Sequence, residues 1–432
     1  MANRYQFLIE VYQFSQDMKF LMFLLPLPIS IKDRFNAEGR CVIPTSIPTK
    51  EVIIQKEIRT TIIGIGNCAS SLVQGRFYYK DPDADIPGLI TKNFGGYQAH
   101  HIQFVAAFDV DERKVGWDLS KAIFAKPNCT TIFQKDIPFL DCPSEMGYVI
   151  DSIPLHNDQY PESLRFKPKE NKYSNKTQAK RAIVRGLQEK GVDVVVNYLP
   201  VGSEENALFY AECCLEAGCA FVNAIPVFVS KIYGDRFKRA GLPILGDDIK
   251  SQVGATIIHR VLTKLFEDRG QPIKRSYQLN VGGNTDFLNM LDRVRLRSKK
   301  ISKTQSVLSQ MNCGEFDPQN LCIGPSDYVP WLKDNKICFL RIEAEQFGGV
   351  PMNVEVRLSV EDSPNSAGVI MDAVRAAKVA LDRGLSGPII EASAYLFKSP
   401  VQQFEDTVAR EMLRRFAEPL AQKSRVQAGG MR

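Results

Sequence analysis

The ten cysteines of this 432-residue chain include no CxxC pair and form no compact framework, which argues against a thiolate zinc site and against a disulfide scaffold. The four histidines, at 100, 101, 156 and 259, lack metal-ligand spacing, so no protein-only metal site is expected. There is no apolar run of the ~20 residues that a membrane-spanning helix needs. The nearest approach, residues 19–29, is far shorter and carries two prolines. An Arg-rich arm is also missing: 55 Lys and Arg are spread along the chain against 49 Asp and Glu, a formal net charge of +6. That balance pulls weakly toward anionic small molecules and gives no argument for nucleic acid or a membrane surface as partner.

What remains is ordinary for a soluble globular protein, 44% hydrophobic and 24% charged, and long enough for two substantial domains. Residues 1–57 read as an appended segment outside the core rather than a signal peptide, because no small-x-small cleavage site follows the apolar stretch. Cys213 and Cys214 sit in the helical pattern EENALFYAECCLEAG and Cys219 follows its C-cap glycine, Gly218, so the three read as small buried hydrophobes. Reduced thiols point to a cytoplasmic protein.

The stretch TTIIGIGNCASS raises a sharper possibility. Residues 58–63 read as a strand apolar enough to be covered on both faces. Gly64-x-Gly66-x-x-Ala69 follows at once, with Gly64 for the tight turn, Gly66 for close approach of a pyrophosphate, and Ala69 for helix–strand packing. With Asn67, the N–H groups of Cys68, Ala69 and Ser70 are expected at the helix N-terminus that receives the phosphates. A second strand, residues 101–111, ends on Asp109, the candidate ribose ligand, about 45 residues after Gly64 instead of the ~20 usual for this motif. Residues 76–100 must then be an inserted loop, read equally as a surface excursion or as a flap over a cofactor.

Three further strands are expected at 192–200, 220–226 and 242–246, with a helix capped by Ser203 between the first two. In a doubly wound sheet these ends share one ligand-binding edge, so Asp109, Asn223, Asp248 and Lys250 should converge. Beyond them, residues 339–345 and 352–360 alternate in character as an open mixed sheet does. A helix capped by Ser363 should follow and stop at Gly384. Residues 280–289 read as a polar, glycine-rich turn, and 297–304 as a lysine run whose members, if crowded by other cations, could carry protons or stabilise an enolate.

Taken together, GIGNCASSLVQG, FVAAFDVDERKVGWDLS, NYLPVGSEE, GDDIKSQVGAT, QLNVGGNTDFLNM, RSKKISKT, IGPSDYV, DSPNSAGVIMDAVRAAKVA and SAYLFKSP resemble the inositol-3-phosphate synthase family, in its bacterial and archaeal branch. The resemblance runs from about residue 58 to 400. It implies an α/β fold: a Rossmann-type doubly wound parallel sheet with a second α+β domain carrying an open mixed sheet. The division expected is an NAD-binding domain at 58–250 with inserts at 76–100 and 133–190, a catalytic and oligomerisation domain at 251–375, and a C-terminal segment, 376–432, returning to the first domain. It implies an isomerase that turns glucose 6-phosphate into inositol 3-phosphate in a cytoplasmic homotetramer, with NAD reduced and reoxidised in each turnover. Oxidation at C5 is followed by loss of a C6 proton, aldol attack on C1 and return of the hydride.

Carried over by motif, Lys250, Lys299, Lys303 and Lys398 are the active-site lysines, with Asp248 beside them. Lys250 and Lys303 are expected in proton transfer, and Lys299 and Lys398 on phosphate or carbonyl oxygen. Asp118, Tyr210, Ser251, Asp286 and Lys299 are implied on NAD, and Asn223, Asn284 and Asp327 on substrate. The rival reading is a simple NAD-dependent dehydrogenase of the homoserine or semialdehyde type, which would release NADH.

Overall fold

The structure, a computed structural model, describes residues 56–81, 87–155, 157–292, 295–311 and 316–419. The expected extension at 1–57 lies almost wholly outside them.

Strand β1 (Ile58–Ile63) runs into α1 (Asn67–Tyr78) through the glycine turn. In chain order there follow β2 (Ile102–Asp109), β3 (Ser144–Met146), α2 (Lys176–Glu189), β4 (Val194–Asn197), α3 (Glu204–Ala217), β5 (Ala220–Asn223), α4 (Val229–Arg239) and β6 (Pro243–Leu245). A second layer is built from α5 (Ala255–Asp268), β7 (Ile273–Gly282), α6 (Thr285–Asn289), α7 (Arg297–Leu308), β8 (Leu321–Tyr328), β9 (Asn335–Glu345) and β10 (Pro351–Glu361). The chain then returns through α8 (Asp362–Asp382), β11 (Gly387–Pro388), α9 (Ile390–Leu396) and α10 (Asp406–Phe416).

The first sheet has the order β11-β6-β5-β4-β1-β2-β3 with every pairing parallel. Central strands β4 and β5 are buried at every residue, as continuous apolar runs in a doubly covered sheet require. Helix α8 buries Val369, Ile370, Ala373, Val374 and Ala377 in the same core as Ile58, Ile62 and Val196. The return to the first sheet thus begins at Asp362, ahead of the residue 376 expected. The second sheet, β10-β9-β7-β8, is mixed. One face packs Ile323, Cys338, Leu340 and Ile342 against Phe266 and Val307.

Several local expectations shift. Residues 280–289 divide between the end of β7 and helix α6, and the lysine run is helix α7. Ser363 does not cap α8, which begins one residue earlier; its hydroxyl donates to Asp334 at 3.0 Å. Ser203 stands at the N-cap of α3, but its hydroxyl turns back to the Pro200 carbonyl at 2.6 Å. In the inserted loop, Phe94 and Tyr97 are buried against α8, and the Arg375 guanidinium donates to the carbonyls of Thr91, Lys92 and Tyr97. Phe94 and Tyr97 thus anchor that loop on α8, while Pro87, Gly88, Ile90, Lys92 and Asn93 are exposed, and none of its described residues lines the cleft.

Candidate active site

A cleft enclosing about 1740 Å³, its open mouth included, lies along the carboxyl edge of the first sheet and reaches the second. Gly64, with φ +87°, makes the turn out of β1; a Cβ there would stand 2.7 Å from the Tyr198 carbonyl oxygen. A Cβ on Gly66 meets no atom within 4 Å, because that position faces the cleft, which Gly64, Gly66, Asn67 and Cys68 line. Ser70 N–H already bonds Gly66 O at 3.0 Å, so the donors ahead of the helical ladder are those of Asn67, Cys68 and Ala69. The side chains of Ala69 and Ser70 are buried away from the cleft. Burial pushes the Cys68 thiol up to about 12, so it sits there as a neutral group.

Asp109 lines the cleft, its carboxylate fixed by the N–H groups of Ile65 at 2.7 Å, Val110 at 2.7 Å and Asp111 at 2.9 Å. Lys114, which sequence reading passed over, puts its ammonium 2.7 Å from the Ile65 carbonyl and 4.0 Å from Asp109. Tyr210 reaches the wall through its hydroxyl, which accepts from Tyr148 N–H at 3.2 Å. Tyr148, Ser152, Ile153 and Phe166 of the 133–190 insert close this end.

At the other end four lysines meet: Lys299, Lys303, Lys336 and Lys398 all line the cleft. Lys299 and Lys303 are one turn apart on α7 and share a face. Asp248, just past β6, brings Lys398 alongside through a short antiparallel bridge: Lys398 N–H donates to Asp248 O at 2.7 Å and Lys250 N–H to Leu396 O at 2.9 Å. Three of the four lysines are paired with carboxylates. Lys398 Nζ lies 2.8 Å from Asp248 Oδ1, Lys299 Nζ 2.5 Å from Asp286 Oδ2, and Lys336 contacts Asp362. Burial would raise the Asp248 and Asp362 carboxyls, yet the surrounding lysines hold both below the usual carboxylate range. Lys303 has no carboxylate within ion-pairing distance among the described residues. Burial first, then the charges of Lys299, Lys398 and Lys336, bring it down to about 7.

Of the residues the sequence singled out, Ser251, Asn284 and Asp286 also reach the cleft. Asn284 caps α6, accepting from Asp286 and Phe287 N–H, and donates to Asp334 at 2.9 Å. Four others stand elsewhere. Lys250 is fully buried, but its ammonium points to the Ala394 carbonyl at 3.1 Å and to Asp406 at 3.5 Å, outside the cleft lining. Asn223 is spent on the sheet edge, bonding Asn197, Asp247 and the Ile225 and Val227 carbonyls. Asp118 caps a short turn and holds the N–H groups of Ser120, Leu140 and Cys142. Asp327 is exposed, bonded to Tyr328 N–H. Lys336 and Asp362 went unassigned. A signal for Lys336 existed: the inward face of β9 that carries Cys338, Leu340 and Ile342 extends back by period two to that position. No group of three His, Cys, Asp or Glu side chains among the described residues is arranged to hold a metal ion.

Comparison with known proteins converges on one family. A family model described as myo-inositol-1-phosphate synthase matches residues 254–363, from the start of α5 to the start of α8. The inositol-3-phosphate synthase of Mycolicibacterium smegmatis is 53% identical over 369 residues, 84% of this chain and 98% of that one. The enzyme of the same name from Mycobacterium tuberculosis is 52% identical over 375 residues, covering 86% and 98%. A solved structure of a myo-inositol-1-phosphate synthase-related protein from Thermotoga maritima superposes with a TM-score of 0.67 at 23% identity, over 84% of this chain and 98% of that one, a likeness of fold.

Proposed function

Because the chain belongs to the myo-inositol-1-phosphate synthase family and is an isomerase of that kind, we propose that it converts D-glucose 6-phosphate to 1D-myo-inositol 3-phosphate with NAD held at the glycine turn. The residues fit such a cofactor. The open Cβ direction at Gly66, the α1 N-terminus and the fixed Asp109 carboxylate suit a pyrophosphate and a ribose in succession. When bound, NAD would take up a hydride from the sugar C5 and give it back after ring closure.

The observation that carries the reading is Lys303, a buried lysine with no carboxylate partner among the described residues, beside three lysines each paired with a carboxylate. In its neutral form it can take the C6 proton as the enolate forms, then pass that proton to the C1 oxygen as the new carbon–carbon bond closes. Lys299, Lys336 and Lys398 stay cationic and stabilise the phosphate and the developing oxyanions without covalent chemistry. Asp286, Asp362 and Asp248 fix those three ammonium groups in position. A homotetramer forms part of the same proposal. It is supported by the open face of the second sheet, where Leu279 and Phe339 pair in register and stand 38% and 44% exposed beside Tyr277. A cytoplasmic setting agrees with the free state of the described cysteines; no helix among the described residues is long and apolar enough to cross a membrane.

Incubation with glucose 6-phosphate and a trace of NAD tests the reading. Inositol phosphate should accumulate well beyond the NAD supplied, whereas NADH in stoichiometric yield with no cyclic product would favour the simple dehydrogenase.

A further inference from the structure

His259 of α5 is fully buried and takes no part in the reaction outlined above. Its Nε2 lies 2.9 Å from Ser276 Oγ and its Nδ1 3.3 Å from Gln278 Oε1. Gln278 Nε2 donates to Asn280 Oδ1 at 3.2 Å, and Asn280 Nδ2 donates to the Gly324 carbonyl at 2.8 Å. Ser276, Gln278 and Asn280 alternate along β7 and so share one face. Gln278 and Asn280 line the cleft.

The fixed end of this chain sets its direction. A carbonyl only accepts, so Asn280 turns its nitrogen to Gly324 and its oxygen to Gln278. Gln278 must then give its nitrogen to Asn280 and turn its oxygen to His259, a contact that is a hydrogen bond only with a proton on Nδ1. Burial keeps the imidazole neutral, bringing its pKa down to about 4. Nε2 is therefore bare; the Ser276 hydroxyl beside it donates to the Arg341 carbonyl at 2.8 Å and can give its single proton to only one of these two acceptors at a time. The opposite order would set oxygen against oxygen at one of the two amides.

We propose that His259 is a positioning residue: as the neutral, Nδ1-protonated tautomer it occupies the oxygen of Gln278, so that the cleft wall there offers N–H donors to oxygen atoms of the substrate. Gln278 Nε2 carries two hydrogens, of which one serves Asn280. Without the imidazole, only the 3.2 Å bond to Asn280 opposes a turn of the amide that would bring its oxygen to the cleft, where it would repel a ketone or phosphate oxygen that can only accept. The kinetic consequence rests on the glucose 6-phosphate reading; the tautomer does not.

The test uses the full-length protein. Long-range nitrogen–proton correlation spectra, with the signal assigned by its loss in H259N, should show Nδ1 protonated and unchanged from about pH 6 to about pH 8. H259N places an amide N–H where Nδ1–H stood and should keep KM for glucose 6-phosphate within about threefold, whereas H259F should raise it about tenfold, as loss of one neutral hydrogen bond does. The kcat and NAD affinity should move little in either. A signal with Nε2 protonated, or equal KM changes in H259N and H259F, overturns the proposal. If H259F fails to fold, the spectrum and H259N still decide. If no inositol phosphate forms at all, the functional reading falls while the spectrum still judges the tautomer.

Discussion

Lys398 and Asp248 form a buried ion pair, 2.8 Å from ammonium to carboxylate, in which the other carboxylate oxygen is bonded at 2.6 Å by Ser302. Ser302 precedes Lys303 on α7, so one carboxylate ties two lysine-bearing segments together. Asp248→Asn should leave Lys398 as an uncompensated, largely buried cation and cost about 3–5 kcal/mol of stability at neutral pH. Because the folded state holds the Asp248 carboxyl below its ordinary value of 3.8, its contribution is present above that value and lost as pH falls through the lower, folded one. Urea melts of both proteins should therefore differ at neutral pH and converge in strong acid. Equal stability at pH 7 would show that the pair holds nothing in place.

A base at Lys303 must be neutral to act, and its neutral fraction grows as pH rises through about 7. The profile of kcat/KM should therefore show an acidic limb near pH 7. Lys303→Met should lower kcat by about 10²- to 10⁴-fold and abolish that limb, with NAD binding unchanged. Lys303→Arg should not rescue, since a guanidinium stays protonated. An unaltered limb in either variant would assign the titration to another group.

Gly66→Val tests the cofactor site separately from folding. Its Cβ would enter open space and Gly66 has no left-handed φ to lose, so the variant should melt as the parent does. Its side chain would fill the place of a pyrophosphate, and NAD affinity by titration calorimetry should drop at least about a hundredfold. Normal affinity in the folded variant would remove NAD from the glycine turn.

The parts of this site that could be read from sequence are those made by neighbouring residues. The strand, Gly64, Gly66 and the α1 N-terminus are one continuous segment whose conformation its own residues dictate, and the lysine spacing on α7 follows from helical period. Lys114 and Asp362 went unnoticed because each matters through a partner far along the chain, Ile65 for Lys114 and Lys336 for Asp362. Lys250 misled for a local reason. By strand alternation it should share a side with Asp248, but Asp248 adopts φ +59°, which breaks the alternation and turns Lys250 to the opposite side.

That inversion leads to an expectation for Lys250 opposite to the one its motif suggested. Burial first, then the Arg260 charge, lowers its pKa from 10.5 to about 7, while Asp406 is already engaged by Arg260 at 2.8 Å. Removing the ammonium leaves no orphaned carboxylate, and methionine fills the same slot beside Tyr395. For a lysine depressed on folding, the unfolded chain binds more protons between the two pKa values. Stability of the parent should therefore rise with pH from about 7 toward 10.5, the penalty being full below that window. Lys250→Met should lack this rise, be more stable than the parent below pH 7 by about 1 kcal/mol or more, and keep turnover within about tenfold. Denaturant melts at one pH on each side of the window, paired with kcat on the same preparations, decide it. A loss of kcat comparable to that of Lys303→Met would put Lys250 back among the groups that move protons.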